Sequence, residues 1–399
     1  MFQFPNPGEA FEDFEILEQI GEGSFARVYK VLAPNSDQPI ALKLTAAPAK
    51  ASDDMIKRAL REIAVLRAMS NEHTVRLHGS NIGDGYFWIS MEYLEGAQLD
   101  HFHRLGEPMN LAKALEIILQ ASMGLAEAHA KGVVHRDIKP ANLWVDRHGT
   151  VKVLDFGFAR AWGVPWAYGT NATQARTVVG TPHYCQPEQL FTDQLTPASD
   201  VYSLATILYE LLSGHAVLFE HQTVPEVIEA LHDDPMGWLD AHALRDTVPI
   251  TGYPGCGGLP DGLVDLINRA LAKEPAARPQ QAGTLASALG TILVEDLGAM
   301  KPATVLIDGP LGRSERPLLP GRRRVGAGDF CDVIVAGGEV SDLHAVFDWS
   351  GGARLVHLRP AGPGSRVLVD DEEVRAAMFL QPGSIVTIGN STLEVAYPR

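Results

Sequence analysis

The 399-residue sequence predicts an α+β chain, strands first and helices after, followed by an all-β module. Three observations carry that expectation. Up to about residue 95 the apolar residues fall in short β-branched and aromatic runs broken by glycine, as in Ile40-Ala41-Leu42 and Phe87-Trp88-Ile89. From residue 111 the runs lengthen into stripes with helical spacing. From Ala303 onward the pattern returns to short apolar runs (333–335, 366–369, 385–388) separated by Gly, Pro and Asp, the spacing of a β-sandwich or barrel.

Taken in order, Ile20 to Val28 reads as a strand entering a hairpin whose Gly21 and Gly23 leave backbone N–H groups bare. A G-x-G pair alone is common. Ile40-Ala41-Leu42-Lys43 is a strand ending in a lysine, ordinarily a solvated charge. Residues 52–69 look helical: Ser52 suits the cap, Asp53 and Asp54 suit the positive N-terminus, and Ile56, Leu60 and Ile63 recur at helical spacing. Glu62 lies on that helix beside Arg58 and Arg61, with Leu66 one turn beyond. A strand over 87–94 runs into Glu95-Gly96. A long helix over 111–130 buries a stripe of Leu111, Leu115, Ile118, Leu119 and Leu125 and ends before Gly132. The nearly all-apolar segment 200–212, closed by Gly214, reads as a buried central helix.

One stretch carries the chemistry. His135-Arg136-Asp137-Ile138-Lys139-Pro140-Ala141-Asn142 is followed, thirteen residues after its Asn, by Asp155-Phe156-Gly157. It supplies a proton acceptor (Asp137), a cation for a migrating phosphate (Lys139) and two oxygen ligands for Mg²⁺ (Asn142, Asp155), the polar set of phosphoryl transfer.

With the glycine hairpin, the strand lysine and the helix glutamate in the same order, the chain resembles the eukaryotic-type protein kinases, in their bacterial serine/threonine branch. The resemblance implies a bilobal fold, a β-rich small lobe on a helical large lobe, over residues 14–293, after an N-terminal extension 1–13. It implies that Lys43 holds ATP phosphates and pairs with Glu62, and that Ile20, Gly21, Gly23, Val28, Ala41, Met91 as gatekeeper, the hinge residues Glu92 and Leu94, and Trp144 surround the nucleotide. Leu66, Leu77, His135 and Phe156 match the regulatory spine. Glu188, in Gln186-Pro187-Glu188, is expected to pair with Arg278. In the activation segment Thr173, then Thr177, then Thr170, are the candidate phosphosites, with Arg136 as the partner of a phosphate there. Lys139 and Thr181 favour serine/threonine acceptors. Two departures stand out: Ala26 replaces a third glycine, and Trp144 stands where the floor beneath adenine is expected.

The formal charge is −16; residues from Pro302 onward hold ten Arg, no Lys and twelve Asp plus Glu, so −14 belongs to the first part. That field disfavours nucleic acid and anionic membrane surfaces. No apolar run of about 20 residues and no signal-type N-terminus is present, and three cysteines are widely spaced, so the expectation is a soluble, cytoplasmic protein with reduced thiols.

Residues 302–399, after a linker 294–301, are similar to a forkhead-associated (FHA) domain, through Val325-Gly326-Ala327, Cys331-Asp332-Val333-Ile334-Val335, Ser341-Asp342-Leu343-His344 and the run from Leu380 to Gly389. The resemblance implies phosphothreonine recognition through an Arg, a Ser and an Asn. Here Ser341 and His344 are present, but Ala327 stands at the Arg position, Asp342 adds negative charge, and Ser365-Arg366 replaces Asn-Gly. Losing the guanidinium removes a charge-assisted contact worth about 1.5–3 kcal/mol. Arg322, Arg323 and Arg324 could compensate or merely solvate a loop. The expectation is a serine/threonine kinase using ATP and Mg²⁺, with Mn²⁺ as a substitute, acting on protein hydroxyls and carrying an FHA-like docking module for a partner; the alternative is a pseudokinase scaffold that binds without catalysis.

Overall fold

A computed structural model describes residues 2–23, 26–46, 53–156, 182–190, 192, 194–232 and 234–398. The expectations placed on Ser52, Gly157, Thr170, Thr173, Thr177, Gly180 and Thr181 lie outside the described residues.

The small lobe is a six-stranded antiparallel sheet of β1 (Ala10–Phe11), β2 (Phe14–Glu22), β3 (Ala26–Leu32), β4 (Pro39–Ala46), β5 (Leu77–Gly83) and β6 (Tyr86–Glu92), in the order β1-β2-β3-β4-β6-β5. Alternation sorts its side chains. Tyr29, Val31, Leu42 and Leu44 join Phe14 and Ile16 in an outer apolar cluster. Val28, Ala41, Lys43 and Met91, linked by the pairs Val28↔Lys43 and Ala41↔Met91, take the opposite face, toward the large lobe. The first residues do not trail away as an extension. Strand β1 pairs with β2, Phe2 and Phe11 pack on Tyr86, and the Tyr29 hydroxyl donates to the Pro5 carbonyl at 3.0 Å. Aromatic burial on an otherwise open sheet face explains this.

Helix α1 (Asp53–Arg67) buries Ile63 and Leu66 but leaves Leu60 40% exposed. The stripe expected from periodicity is therefore only partly seated.

The large lobe begins with β7 (Ala97–Gln98), α2 (Leu99–Phe102) and α3 (Leu111–Ala130), the last capped by the Asn110 side chain accepting from the Lys113 N–H. Strands β8 (Leu143–Val145) and β9 (Val151–Val153) join β7 in a small sheet. Helix α4 (Pro197–Ser213) lies buried at the centre and stops at Gly214, whose φ of +73° and approach to the Gly106 carbonyl exclude a side chain. Around it pack α5 (Val224–Ala230), α6 (Pro235–Leu244), α7 (Asp261–Ala270) and α8 (Ala282–Thr291). None of the described cysteines forms a disulfide, and no helix among the described residues is long and apolar enough to cross a membrane.

The C-terminal part is a two-sheet sandwich. One sheet contains β10 (Ala303–Gly309), β11 (Gly312–Leu318), β16 (Val367–Val369), β17 (Glu372–Glu373), β19 (Ile385–Ile388) and β20 (Ser391–Ala396); the other contains β12 (Gly321–Gly326), β13 (Val333–Ile334), β14 (Ala345–Trp349), β15 (His357–Pro360) and β18 (Met378–Phe379). Trp349, Phe347, Val305 and Val386 are among the residues that fill the core between them.

The sandwich is docked on the large lobe. The expected linker is not extended: Ile292–Asp296 continues α8 as a π turn, and the N–H groups of Ala299 and Met300 return to the Leu293 carbonyl. Arg322 and Arg323 are interface residues rather than surface charges. Arg322 donates to the Ala126 carbonyl at the end of α3 (3.1 Å) and to buried Asp348 (2.8 Å), while Arg323 donates to the Ser287 carbonyl on α8 (3.0 Å). Ser287 donates to the Arg322 carbonyl, and Gly290 has no room for a Cβ beneath the Pro320 carbonyl. At the far edge Ser70 contacts His357 at 3.0 Å.

Candidate active site

The catalytic loop is built by the end of α3. Helix α3 closes with Gly132 at φ +77°, and the chain then turns so that the His135 and Arg136 N–H groups both donate to the Asp200 carboxylate at 2.8 Å. Asp200 is fully buried in the first turn of α4 and also takes a 2.9 Å hydrogen bond from His129. Burial alone would raise its carboxyl, but His129, then His135, outweigh that and hold it below the ordinary value. The loop thus hangs from one carboxylate.

Within the loop the Asp137 carboxylate receives Lys139 Nζ at 2.9 Å and Asn142 Nδ2 at 3.1 Å, while the same Asn amide donates to the Asp137 carbonyl at 2.6 Å. Asn142 therefore fixes the orientation of Asp137 with its nitrogen and leaves Oδ1 for another task. Asp155 follows β9 in a left-handed conformation (φ +51°) with Lys43 Nζ at 2.7 Å from its carboxylate. Burial opposes ionisation of Asp155, but the charge and hydrogen bond of Lys43, with His135 and Lys139 beyond, hold its pKa below the ordinary value. Phe156 turns inward, its ring 4.8 Å from the ring of His135, whose Nε2 donates to the Leu154 carbonyl at 2.6 Å. Burial lowers the His135 pKa, against the nearby Asp200, Asp137 and Asp155 carboxylates, which raise it. Leu66, Leu77 and Phe156 share the large core cluster.

One expected contact is replaced. Lys43 lies on Asp155 and Glu62 lies toward Arg136, Oε1 to Nη1 at 3.9 Å, so the Lys43–Glu62 pair is not made. The physical reason is competition among charges: Asp155 has taken Lys43, and the Arg136 guanidinium lies within reach of Glu62. Both carboxylates find the nearest available cation instead.

The side of the cleft where the resemblance places a nucleotide is largely apolar. Ala41 and Met91 are buried and Val28 half-buried, and Ile20 is exposed at the hairpin base. Glu92 is held by Lys152 at 2.7 Å, and the Trp144 indole donates to the Glu95 carbonyl at 3.3 Å, just beyond Leu94, so it lies along this edge. A Cβ on Gly21 would only touch Val28 at 3.4 Å, and one on Gly23 would stay 3.7 Å from the Ala26 carbonyl. Nothing among the described residues demands these glycines, and their missing Cβ atoms leave the hairpin backbone bare. Among the described residues no group of three or more His, Cys, Asp or Glu could hold a metal alone. Two oxygens, Asp155 and Asn142 Oδ1, suit Mg²⁺, which keeps waters and substrate phosphates in its shell.

Away from the cleft, Arg278 is buried and meets Glu188 with both terminal nitrogens, at 2.8 and 2.7 Å. In the sandwich His344 is structural: its Nδ1 accepts from the Ser341 N–H (3.1 Å) and its Nε2 donates to the Arg366 carbonyl (2.9 Å). Ser341 and Ala327 are exposed on neighbouring loops, the Ala327 N–H donating to the Ser341 carbonyl at 2.9 Å. Sequence reasoning missed Asp200 and His129 as site residues. Nothing in the sequence set Asp200 apart from an ordinary acid at a helix start.

A two-lobed fold holding this polar set at its cleft defines the class of protein kinases. Residues 14–289 match the protein kinase domain and residues 321–389 the FHA domain, and the chain belongs to the protein kinase family with an FHA domain appended. It is similar to the serine/threonine-protein kinase PknD of Mycobacterium tuberculosis, 32% identical over 286 residues, which span 71% of this chain and 40% of that protein. It is also similar to PrkC of Bacillus subtilis, 34% identical over 201 residues, 50% of this chain and 30% of that one. The chain thus covers less than half the length of these relatives. The kinase domain of Mycobacterium tuberculosis PknI superposes with a TM-score of 0.52 at 23% identity, over 72% of this chain and 98% of that one, a likeness of fold.

Proposed function

We propose that the protein is a serine/threonine kinase that uses Mg²⁺ and ATP, with Mn²⁺ as a substitute, to phosphorylate protein hydroxyls and its own activation segment. The observation that carries this reading is the Asp137 carboxylate, oriented by Asn142 and flanked by Lys139 in one cleft with Lys43 and Asp155. Mg-ATP, when bound, supplies the transferable phosphoryl group and a cation that neutralises its charge. Asp137 orients the acceptor hydroxyl and takes its proton at a carboxylate oxygen. Lys139, beside it, faces the charge that migrates, and Asn142 and Asp155 offer the metal its protein oxygens. Lys43 serves ATP phosphates once it leaves Asp155, with Glu62 as its replacement partner. Autophosphorylation is proposed at Thr173, with Thr177 and Thr170 behind it. The sandwich acts as a docking module: Ala327 offers no cation beside Ser341, and Asp342 opposes an anion there, so phosphothreonine binds poorly at that face.

The test is incubation of purified protein with Mg-ATP and a protein acceptor, read by mass spectrometry. Phosphorylated Ser or Thr is expected, including one activation-segment threonine, with a loss of about 10³-fold or more in Asp137→Asn. Undiminished transfer by Asp137→Asn overturns the reading. The scaffold alternative draws on the Lys43–Asp155 contact alone; ATP binding by calorimetry without any phosphate transfer would favour it.

A further inference from the structure

The turn joining β14 to β15, residues 350–356, touches two loops of the kinase domain. On one side the buried Ser350 hydroxyl donates to the Glu72 carboxylate at 3.3 Å, in the loop that joins α1 to β5. On the other, half-exposed Arg354 donates to the Gly149 carbonyl at 3.4 Å, in the turn between β8 and β9. Burial opposes ionisation of Glu72, but His73, then the Arg354 charge and the Ser350 hydroxyl, outweigh it and hold that carboxyl below the ordinary value. The turn is firmly built. The Trp349 indole donates to the Arg354 carbonyl at 2.9 Å, the Val356 N–H donates to the Tyr397 hydroxyl at 3.0 Å, and Gly351, at φ +91°, has no room for a Cβ against the Met300 sulfur.

Both loops lead to catalytic groups. Helix α1 ends with the Ala68 and Met69 N–H groups donating back to the Val65 and Leu66 carbonyls, both at 3.1 Å, and Ser70, in contact with His357, comes next. The same loop then joins β9: the Val75 N–H donates to the Val153 carbonyl at 3.1 Å, and the Val153 N–H to the His73 carbonyl at 2.9 Å. Asp155 lies two residues beyond Val153. One segment therefore connects the helix that carries Glu62 with the strand that delivers Asp155, and the sandwich holds that segment at Ser70 and Glu72. Glu62 lies eight residues before Ser70, about 12 Å along the helix. A tilt of about 10° at Ser70 moves it by about 2 Å, the difference between a hydrogen bond to Lys43 and none. The Glu62–Arg136 contact, at 3.9 Å, does little to resist such a tilt.

We propose that Ser350 and Arg354 are positioning residues for phosphate transfer: their turn steadies the pivot of α1 and so holds Glu62 where it can take Lys43. This role rests on the kinase reading above, in which Lys43 serves ATP phosphates with Glu62 as its partner. It passes through Glu72, Gly149 and the segment between α1 and β9, not through contact with substrate. The sandwich then supports catalysis by its docked edge, with no ligand on it and independently of the Ser341 loops.

The experiment measures kcat and KM for ATP with a protein acceptor in the full chain, and hydrogen exchange of the backbone amides of 53–67 in the same proteins. In the double variant Ser350→Ala with Arg354→Ala, kcat/KM for ATP is expected to fall about 5- to 10-fold, and the α1 amides to exchange about 5-fold faster or more. Arg354→Lys, which keeps the charge and a donor, stays within about 2-fold of the parent. Arg354→Ala alone shows the same directions if the double variant fails to fold. In a Glu62→Gln background the double substitution costs less than about 2-fold, because the residue through which it acts is already gone. An equal loss in both backgrounds makes the turn merely structural and overturns the proposal. So does an unchanged or raised kcat/KM, or unchanged exchange along α1. A parent that transfers no phosphate overturns the kinase reading instead, and the exchange measurement then decides by itself whether the turn grips α1.

Discussion

Asp200 accepts three hydrogen bonds with no exposed surface, from His129 and from the two backbone N–H groups that open the catalytic loop. A buried carboxylate with three donors is costly to disturb, because replacing it leaves donors unpaired in a low-dielectric site. Asp200→Asn puts an NH₂ group against one of those donors. The expected outcome is a loss of about 3 kcal/mol in stability and about 10²-fold in phosphate transfer, since Asp137 lies one residue beyond the suspended segment; a denaturant titration with a parallel kinase assay checks both. The Glu188–Arg278 pair belongs to the same class of buried contact, and the motif order around Gln186-Pro187-Glu188 made it legible in the sequence. Asp200 was not, because an acid at a helix start ordinarily serves the helix dipole in solvent. Nothing in one chain of letters says that the α3–α4 packing will close over it.

Among the elements, α1 decides how the site is set. The sequence shows its apolar period, and Ile63 and Leu66 are buried as that period requires, yet period defines a stripe and not the rotation at which the stripe seats. Here Glu62 lies toward Arg136 while Lys43 lies on Asp155. The Glu62–Arg136 contact is long and its side chains are roughly a quarter exposed, so it is worth at most about 1 kcal/mol. A rotation that trades it for Lys43 is energetically easy, and a phosphate on the activation segment would compete for the same Arg136. Glu62→Gln is accordingly expected to change stability by less than about 1 kcal/mol and to lower kcat/KM by about 10- to 100-fold, through loss of Lys43 positioning. Equal losses in stability and activity would mean that Glu62 is structural. The strands and helices around the cleft were legible because β-branched runs and apolar stripes differ in period. The pairing of charges across the cleft was not, since each carboxylate has more than one cation within reach.

At the scale of the whole molecule, the two domains form one packed body through contacts the sequence did not reveal. The run Arg322-Arg323-Arg324 reads as a solvated basic loop, yet two of the three enter the interface, because their partners Ala126 and Ser287 lie in helices read as complete in themselves. Acid should loosen this contact. Burial depresses the His357 imidazole pKa most, and Arg359 lowers it further, against Asp348, Glu127 and Glu72, which raise it; Nδ1 is buried without a hydrogen-bond partner and Nε2 meets Ser70. A base whose folded pKa lies below its unfolded value of about 6.5 contributes stability that is present above that pH and is lost as pH falls through the folded pKa. The melting temperature should therefore drop less between pH 7.5 and 5.5 in His357→Gln than in the parent. A glycine tests the docking itself. A Cβ at Gly290 would sit 2.1 Å from the Pro320 carbonyl, which belongs to the turn entering β12, so the two backbones touch only because α8 carries no side chain there. Valine in a helix is ordinarily tolerated at a cost of well under 1 kcal/mol, so the large lobe should still fold when Gly290→Val forces the sandwich away. The expected outcome is two thermal transitions in place of one and a larger radius of gyration by small-angle scattering. Gly258→Ala, where an added Cβ meets nothing within 4 Å, should leave both unchanged. A single transition and an unchanged radius in Gly290→Val would show that the domains are held together elsewhere than along α8 and β12.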